Sequence, residues 1–109
     1  MLQDFTDISS ISESQLTEEE ALQLADELSA KLSEGEIPRS DAESLKRMVA
    51  GLGDARGALR LTFAKSLGAV GDEALPILCK ALRQHKNVIV RRASAKTLNL
   101  IGNKDALPY

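Results

Sequence analysis

One phrase occurs twice in this chain, and it constrains the fold more than any other feature. The stretch AKSLGAVGDEALPI covers residues 64–77, and AKTLNLIGNKDALPY covers residues 95–109. Paired positions such as Leu67 and Leu98 are 31 residues apart. After the shared glycine the offset becomes 32, because one extra residue lies in the turn, where an insertion costs little. A unit of this length that recurs predicts an array of stacked helix pairs.

The spacing of apolar residues indicates that each repeat is helical. Apolar side chains recur three and four positions apart, and β-branched and aromatic residues are too few for a sheet. We therefore predict an all-α chain with five main helices. The residues predicted to cap the first four helices are Thr17, Ser40, Asp54 and Asp72, with Glu20 and Glu43 completing capping boxes for the first two. The glycines predicted to end helices are Gly35, Gly53, Gly71 and Gly102.

The fourth predicted helix illustrates how the core is assigned. Pro76 falls in its first turn, where the missing amide hydrogen removes no helical hydrogen bond. The residues expected to face inward are Leu75, Leu78, Cys79 and Leu82. Small residues on the preceding helix, Ala64, Gly68 and Ala69, are expected to let helix backbones approach closely.

Composition sets the class of protein and its surroundings. A chain of 109 residues is one domain long, and the single cysteine excludes an intramolecular disulfide and a cysteine zinc site. No apolar run is long enough to span a membrane and no secretory signal is visible, so we expect a cytoplasmic protein. Charge is divided unevenly: residues 1–45 hold twelve acids and two bases, and residues 46–109 hold four acids and twelve bases.

The second copy of the repeat carries a family resemblance. The sequence ALPILCKALRQHKNVIVRRASAKTLNLIG resembles the HEAT-like repeat of the phycobilisome bilin lyases and phycobilisome degradation proteins of cyanobacteria, which read ALPxLxxAL, a turn, then VRxxAAxALGxIG. The resemblance covers residues 41–109 and implies a right-handed α–α superhelix, a HEAT-like solenoid. It departs from the family pattern at His85, where an aspartate is usual, and at Gly57 and Ala58, where branched residues are usual.

The repeat also predicts how the chain is divided. Residues 1–16 are expected to be a flexible lead-in, and residues 17–109 a helical repeat domain. The sequence DALPY opens a further copy, so we expect the chain to be the N-terminal part of a longer protein. The predicted parts of the domain are a cap helix at 17–35, helix pairs at 41–71 and 73–102, and the start of another pair at 105–109.

A basic surface is the candidate binding site. Lys65, Arg92 and Lys96, together with Asn99, are spaced to lie along one face of the second helix of each pair. We expect this ridge to dock an acidic protein surface or the propionates of a tetrapyrrole. The alternative is a solvated charged face, which surface helices routinely carry. The acidic first helix is a further candidate occupant, lying across the ridge of its own chain as a cap.

Other chemistry-bearing residues are assigned structural roles. The resemblance implies that Arg60 and Arg91 each reach an acid in a neighbouring turn, with Asp54 and Asp72 nearby, and tie successive pairs together. His85 is expected to cap the last carbonyls of its helix. Cys79 and His85 are six positions apart, which opposes a catalytic dyad. We place no catalytic residue and no metal ligand on this sequence.

Three functions follow from this pattern. The first is a non-catalytic scaffold that binds another protein; the resemblance implies a phycobiliprotein as that partner. The second is a bilin lyase or lyase subunit, which leaves a phycobilin open as ligand. The third, nucleic-acid binding, is disfavoured because stacking on bases needs aromatic residues, and only Phe5, Phe63 and Tyr109 are available. The oligomeric state is left open.

Overall fold

The computed structural model describes the backbone of residues 16–106 and the side chains of residues 16–102. This part of the chain holds five α-helices, one short 3₁₀ turn and no strand. The predicted all-α class with five main helices is confirmed. The helices are α1 (Glu18–Ser33), α2 (Ala42–Gly51), α3 (Gly57–Val70), α4 (Leu75–Gln84) and α5 (Val88–Ala106), and the 3₁₀ turn (Gly71–Ala74) leads directly into α4.

The helices form two layers. Helices α2 and α3 pack as one pair and α4 and α5 as the next, while α3 also packs against both α1 and α5, and α2 against α4. Arg56, just before α3, donates Nη2 to the carbonyl of Glu18 at 3.0 Å. The N-termini of α1 and α3 therefore lie side by side, and the two helices run in the same direction. Thus α1, α3 and α5 form one layer and α2 and α4 the other, as in a HEAT-like solenoid.

The core lies between these layers and follows the predicted stripes. The helical spacing of Leu45, Met48, Val49 and Leu52 predicts the inward face of α2 and the residue that follows it. All four are buried, because this helix is covered both by its own partner and by the next pair. Helix α1 contributes a narrower stripe of small and aliphatic residues. The buried apolar residues of these two helices and the following turn are Ala21, Ala25, Leu28, Leu45, Met48, Val49 and Leu52.

The closest helix approach occurs at Gly51. A Cβ atom there would collide with the ring of Phe63, so the phenyl ring fills the space that the glycine leaves. At the equivalent positions of the next pair, Ala81 and Ser94 replace the glycine and the phenylalanine. The prediction that Gly68 permits close approach is wrong, since a Cβ at Gly68 would meet no atom within 4 Å.

The cap predicted for α1 is confirmed. The Thr17 hydroxyl accepts the Glu20 amide at 3.1 Å, and the Glu20 carboxylate accepts the Thr17 amide at 2.9 Å. For α2 the predicted cap Ser40 is wrong by one residue. Asp41 is the N-cap instead, accepting the Ser44 amide at 3.2 Å and the Ser44 hydroxyl at 2.7 Å.

The other two predicted caps are also wrong. Helix α3 begins after Arg56 with no side-chain cap, because the Asp54 carboxylate is turned toward Arg56. Asp72 lies inside the 3₁₀ turn, and α4 begins after Ala74 with no side-chain cap. Pro76 occupies the first turn of α4, as predicted. A 3₁₀ turn that runs straight into a helix leaves no extended residue for a capping side chain.

The two copies of the repeat end differently. Gly71 adopts φ 80° and ends α3, as predicted. Gly102 is helical, and α5 continues to Ala106, so the predicted end at Gly102 is wrong. Glycine permits a left-handed turn but does not impose one. The turn at Gly71 leads into the 3₁₀ turn that ends at the buried Ala74. Of the predicted further pair at 105–109, residues 105–106 belong to α5 and the rest lie outside the described residues, as does the lead-in at 1–15.

The structure corrects the inward face predicted for α4 and shows one contact of His85 in the turn that follows it. Leu78 is buried, but Cys79 and Leu82 are exposed, so Cys79 is not the buried hydrophobe that the stripe predicted. In the turn after α4, the Nδ1 of the His85 ring accepts the Asn87 amide at 3.1 Å. The ring thus stabilises the turn that leads into α5. In the same turn, Oδ1 of Asn87 accepts the backbone amide of Ile89, the second residue of α5, at 2.8 Å.

Candidate ligand groove

An open groove lies between α3 and α5, the two helices of the same layer. Its volume is about 610 Å³, within the range of roughly 300–1,000 Å³ that small-molecule sites occupy. Small residues of both helices, Ala64 and Ala93, line it and leave room between the two backbones. The remaining lining residues are Gly57, Arg60, Leu61, Ile89, Arg92, Lys96 and Leu100.

The lining combines positive charge with exposed apolar surface. Its charged side chains are Arg60, Arg92 and Lys96, and it contains no acid. Its apolar side chains are large and unusually exposed: Leu61 by 53%, Leu100 by 48% and Ile89 by 38%. Such side chains are normally buried in a core. A surface that pairs them with unopposed cations suits a ligand with an apolar body and anionic groups.

The period of the helix explains why α5 presents both kinds of residue to the groove. Ile89, Arg92, Lys96 and Leu100 follow one another at steps of three, four and four residues, so they lie along a single face. The opposite face carries Val90 and Ile101, which are buried in the core. At 1.5 Å of rise per residue, Arg92 and Lys96 are about 6 Å apart along the helix axis.

Arg60 enters the groove from a fixed position. Its Nη1 donates to the backbone carbonyl of Asp54 at 2.6 Å, and the equivalent Arg91 donates to the carbonyl of His85 at 2.6 Å. Both arginines therefore hold the turn within their own helix pair. The expectation that each reaches an acid and ties successive pairs together is wrong, because both acceptors are main-chain carbonyls six residues earlier. Arg60 still lines the groove beside Gly57.

The carboxylate of Asp54 is engaged by another arginine. Its two oxygens accept hydrogen bonds from Nε and Nη2 of Arg56, at 2.8 and 2.9 Å. The oxygen bonded to Nε also accepts a hydrogen bond from the backbone amide of Arg56 at 2.8 Å. The side-chain hydrogen bonds from Arg56 lower the pKa of Asp54 below its ordinary value of 3.8, against the opposing effect of burial. Asp72 is exposed, and no arginine among the described side chains bonds to it.

The groove contains two of the four residues predicted as a basic ridge. Arg92 and Lys96 line it, whereas Lys65 and Asn99 are exposed but lie outside its lining. The prediction missed Arg60 as a groove residue, and it missed the exposed Ile89 and Leu100. Their helical spacing is visible in the sequence, but apolar residues at that spacing are ordinarily assigned to the core.

Helix α1 does not cover this groove. No residue of α1 lines it, because α1 packs on α3 as a neighbour in the same layer. The expectation that the acidic first helix lies across the basic ridge is therefore wrong. Its acids face solvent at positions such as Glu19, Asp26 and Glu27.

Other cavities have less distinctive chemistry. A cavity of about 460 Å³ between α1 and α2 mixes Glu27, Asp41 and Glu43 with Lys31, Arg39 and Arg47. A cavity of about 320 Å³ lies where the two interhelical turns meet, near Asp54 and Lys86. Among the side chains described, no group of histidine, cysteine or acidic residues could hold a metal ion. No helix in residues 16–106 is long and apolar enough to cross a membrane.

The two-layered stack defines an α-helical repeat protein with an open groove between two helices of one layer. A family model described as HEAT repeats matches residues 45–109, and the chain belongs to this family. It is also similar to the bilin biosynthesis protein MpeU of Synechococcus sp. (strain WH8020), with 69% identity over 91 residues. That match covers 84% of this chain but only 31% of the relative, so the chain spans less than a third of that protein. No solved structure matches significantly.

Proposed function

We propose that this chain is the tetrapyrrole-binding part of a bilin lyase-type protein, with the groove between α3 and α5 as its ligand site. The observation that carries the proposal is the lining of that groove, which contains three cations, three exposed apolar side chains and no acid. The high identity to a bilin biosynthesis protein supports this second of the predicted functions over a non-catalytic scaffold.

The ligand and the groove have matching chemistry. A linear tetrapyrrole has a long conjugated apolar body and two propionate carboxylates on neighbouring rings. Arg92 and Lys96 bind these carboxylates from adjacent turns of α5, each through charge-assisted hydrogen bonds. Leu61, Ile89 and Leu100 contact the apolar rings, and burying their exposed surface adds favourable free energy. The chain orients the pigment, and we assign no bond-forming residue to it.

A protein partner remains the second candidate. HEAT-type solenoids commonly bind proteins, and exposed leucine and isoleucine side chains next to arginine also suit a protein interface. The family resemblance points to a phycobiliprotein subunit, the acceptor to which a lyase would transfer the pigment. A groove that binds the pigment and a neighbouring surface that binds the acceptor are compatible within one solenoid.

The test is a titration of the chain with biliverdin and phycocyanobilin, followed by visible absorbance. We expect saturable binding, and we expect Arg92→Glu combined with Lys96→Glu to weaken it by at least about tenfold, because two charge-assisted bonds become repulsive. The matched control is Lys80→Glu combined with Arg83→Glu on α4. It makes the same change in net charge on exposed residues outside the groove.

The control variant should bind like the unmodified chain. Equal weakening by both variants would show that net charge alone governs binding, and it would contradict the groove as the site. Failure of both pigments to bind, with retained binding of an apo-phycobiliprotein that the groove variant abolishes, would favour the scaffold function instead.

A further inference from the structure

Two equivalent arginines, Arg60 and Arg91, differ in their relation to the groove. Each donates Nη1 to a backbone carbonyl six residues earlier, at 2.6 Å, so both hold the turn of their own pair in the same way. Arg60 also lines the groove between α3 and α5, whereas Arg91 does not. The turn bond is therefore common to both pairs, and of these two arginines only Arg60 also has a position in the groove.

Arg60 forms no salt bridge with an acid among the described side chains. The Asp54 carboxylate in the same turn is bound by Nε and Nη2 of Arg56, at 2.8 and 2.9 Å. Arg60 bonds the backbone carbonyl of Asp54 instead, and the groove lining contains no acidic side chain. The guanidinium group of Arg60 therefore keeps hydrogen-bond donors and a positive charge for an anionic group in the groove.

Arg60 and Arg92 line opposite walls of the groove near the same end. Helices α3 and α5 are equivalent members of successive pairs and run in the same direction. Arg60 is the fourth residue of α3 and Arg92 is the fifth of α5, so both lie close to the N-terminal ends of their helices. Lys96 lies about one turn further along α5. One anionic group can therefore be bound from both walls, and a second can be bound by Lys96.

We infer that Arg60 determines the specificity of the groove by forming, with Arg92, a two-arginine clamp for one carboxylate of the ligand. This inference rests on the proposed function in taking the groove as the ligand site. The two-arginine clamp binds one propionate of a linear tetrapyrrole, and Lys96 binds the other. The bond to the Asp54 carbonyl holds the half-buried Arg60 in place, so binding costs less side-chain entropy there than at the exposed Arg92.

The test compares Arg60→Met with Arg91→Met, which removes the equivalent turn bond outside the groove. Both variants are titrated with biliverdin and with biliverdin dimethyl ester, whose esterified propionates carry no charge. Arg60→Met should weaken the binding of biliverdin by about tenfold and the binding of the ester much less, because a charge-assisted bond is lost. Arg91→Met should leave both affinities unchanged. Both variants should lower the Tm, since each loses a turn bond.

A second variant tests the other half of the two-arginine clamp. Arg92→Met removes an exposed side chain that makes no hydrogen bond to the described residues, and it should also weaken biliverdin binding more than ester binding. Its effect should be non-additive with that of Arg60→Met, because both arginines bind the same carboxylate. Independent effects of the two substitutions would indicate separate ligand groups and would overturn the two-arginine clamp.

Two other results would also overturn the inference. Equal biliverdin affinities in Arg60→Met and Arg91→Met would leave Arg60 with a structural role only. Equal weakening of biliverdin and its ester by Arg60→Met would show that the carboxylate charge is not what Arg60 recognises.

A separate probe distinguishes failure of this inference from failure of the proposed function. The probe is 8-anilinonaphthalene-1-sulfonate, which carries one anionic group on an aromatic body and fluoresces when bound. If neither tetrapyrrole binds, the proposed function fails. The two-arginine clamp would still be supported if Arg60→Met weakened binding of the sulfonate by about fivefold and Arg91→Met did not. Sulfonate binding that is absent, or that Arg60→Met leaves unchanged, would overturn it.

Discussion

At the scale of single residues, the tightest constraint is the contact between Gly51 and Phe63. The phenylalanine is fully buried, and its ring lies where any side chain at position 51 would have to go. Among the described residues, the buried hydroxyls of Ser66 and Thr97 each donate to the carbonyl four residues earlier, at 2.8 Å, whereas the buried Ser94 hydroxyl has no hydrogen-bond partner. The contact between Gly51 and Phe63 itself is one of shape.

We predict opposite effects for two glycine-to-alanine substitutions. Gly51→Ala should lower the free energy of unfolding by about 1–3 kcal/mol, because the new methyl group forces Phe63 out of its place. Gly68→Ala should raise it by up to about 1 kcal/mol, since Gly68 is helical and has open space beside it. Urea denaturation followed by circular dichroism measures both values.

The double variant Gly51→Ala, Phe63→Leu checks the mechanism. If the cost at position 51 comes from the ring, the two substitutions should together cost less than the sum of their separate effects. Strict additivity would contradict a direct contact as the cause.

Periodicity predicts core residues well and surface roles poorly. The α2 stripe was predicted completely, because every apolar residue at that spacing is covered on both sides. The same spacing failed for Cys79 and Leu82, which are exposed although they share the helix with the buried Leu78. It failed again for Ile89 and Leu100, which line the groove. Period alone specifies a face of a helix but not what covers it.

At the scale of the helices, the capping residues decide where each element begins. Ser40 was predicted as the cap of α2. Serine and aspartate are both favoured at that position, so residue type alone does not distinguish Ser40 from Asp41. The structure selects Asp41, whose carboxylate accepts both the amide and the hydroxyl of Ser44. The hydroxyl bond, then the amide bond, lower the pKa of Asp41 below its ordinary value of 3.8.

We predict that Asp41→Ala lowers the Tm by a few degrees at neutral pH and that Ser40→Ala leaves it almost unchanged. A lowered pKa in the folded protein means that the carboxylate stabilises the fold fully above the unfolded pKa of 3.8. The difference in Tm between the unmodified chain and Asp41→Ala should therefore be constant above about pH 5 and shrink as the pH falls below 3.8. Thermal melts monitored by circular dichroism between pH 3 and 7 test this, and a difference that grows in acid would contradict it.

At the scale of the whole molecule, α1 is the first of the described helices in its layer. It packs on α3 without lining the groove between α3 and α5, and its buried stripe is made of Ala21, Ala25 and Leu28. The sequence predicted the helix and its cap correctly. It did not predict where α1 docks. The excess of acids in the first part of the chain and of bases in the second suggested a contact between α1 and the basic ridge. Instead, α1 packs on α3 through its small buried residues.

We predict that Ala25→Gln destabilises the protein and that Ala30→Gln on the same helix does not. Ala25 is buried at 4%, so glutamine would place a polar amide in the core at a cost of about 2 kcal/mol, whereas Ala30 is exposed. Chemical denaturation compares the two variants. Similar values for both would contradict the docking of α1 on α3, and unchanged pigment affinity in Ala30→Gln would confirm that α1 takes no part in the groove.

The size match between Gly51 and Phe63 restricts how an array like this can be rearranged. The equivalent residues of the second pair are Ala81 and Ser94, so each pair balances a small side chain against a larger one in its own way. A recombination event between α2 and α3 would set phenylalanine against alanine, or serine against glycine, giving a clash in one product and a void in the other. Exchange at the boundaries between pairs would leave each hairpin intact, so we expect it to preserve this packing.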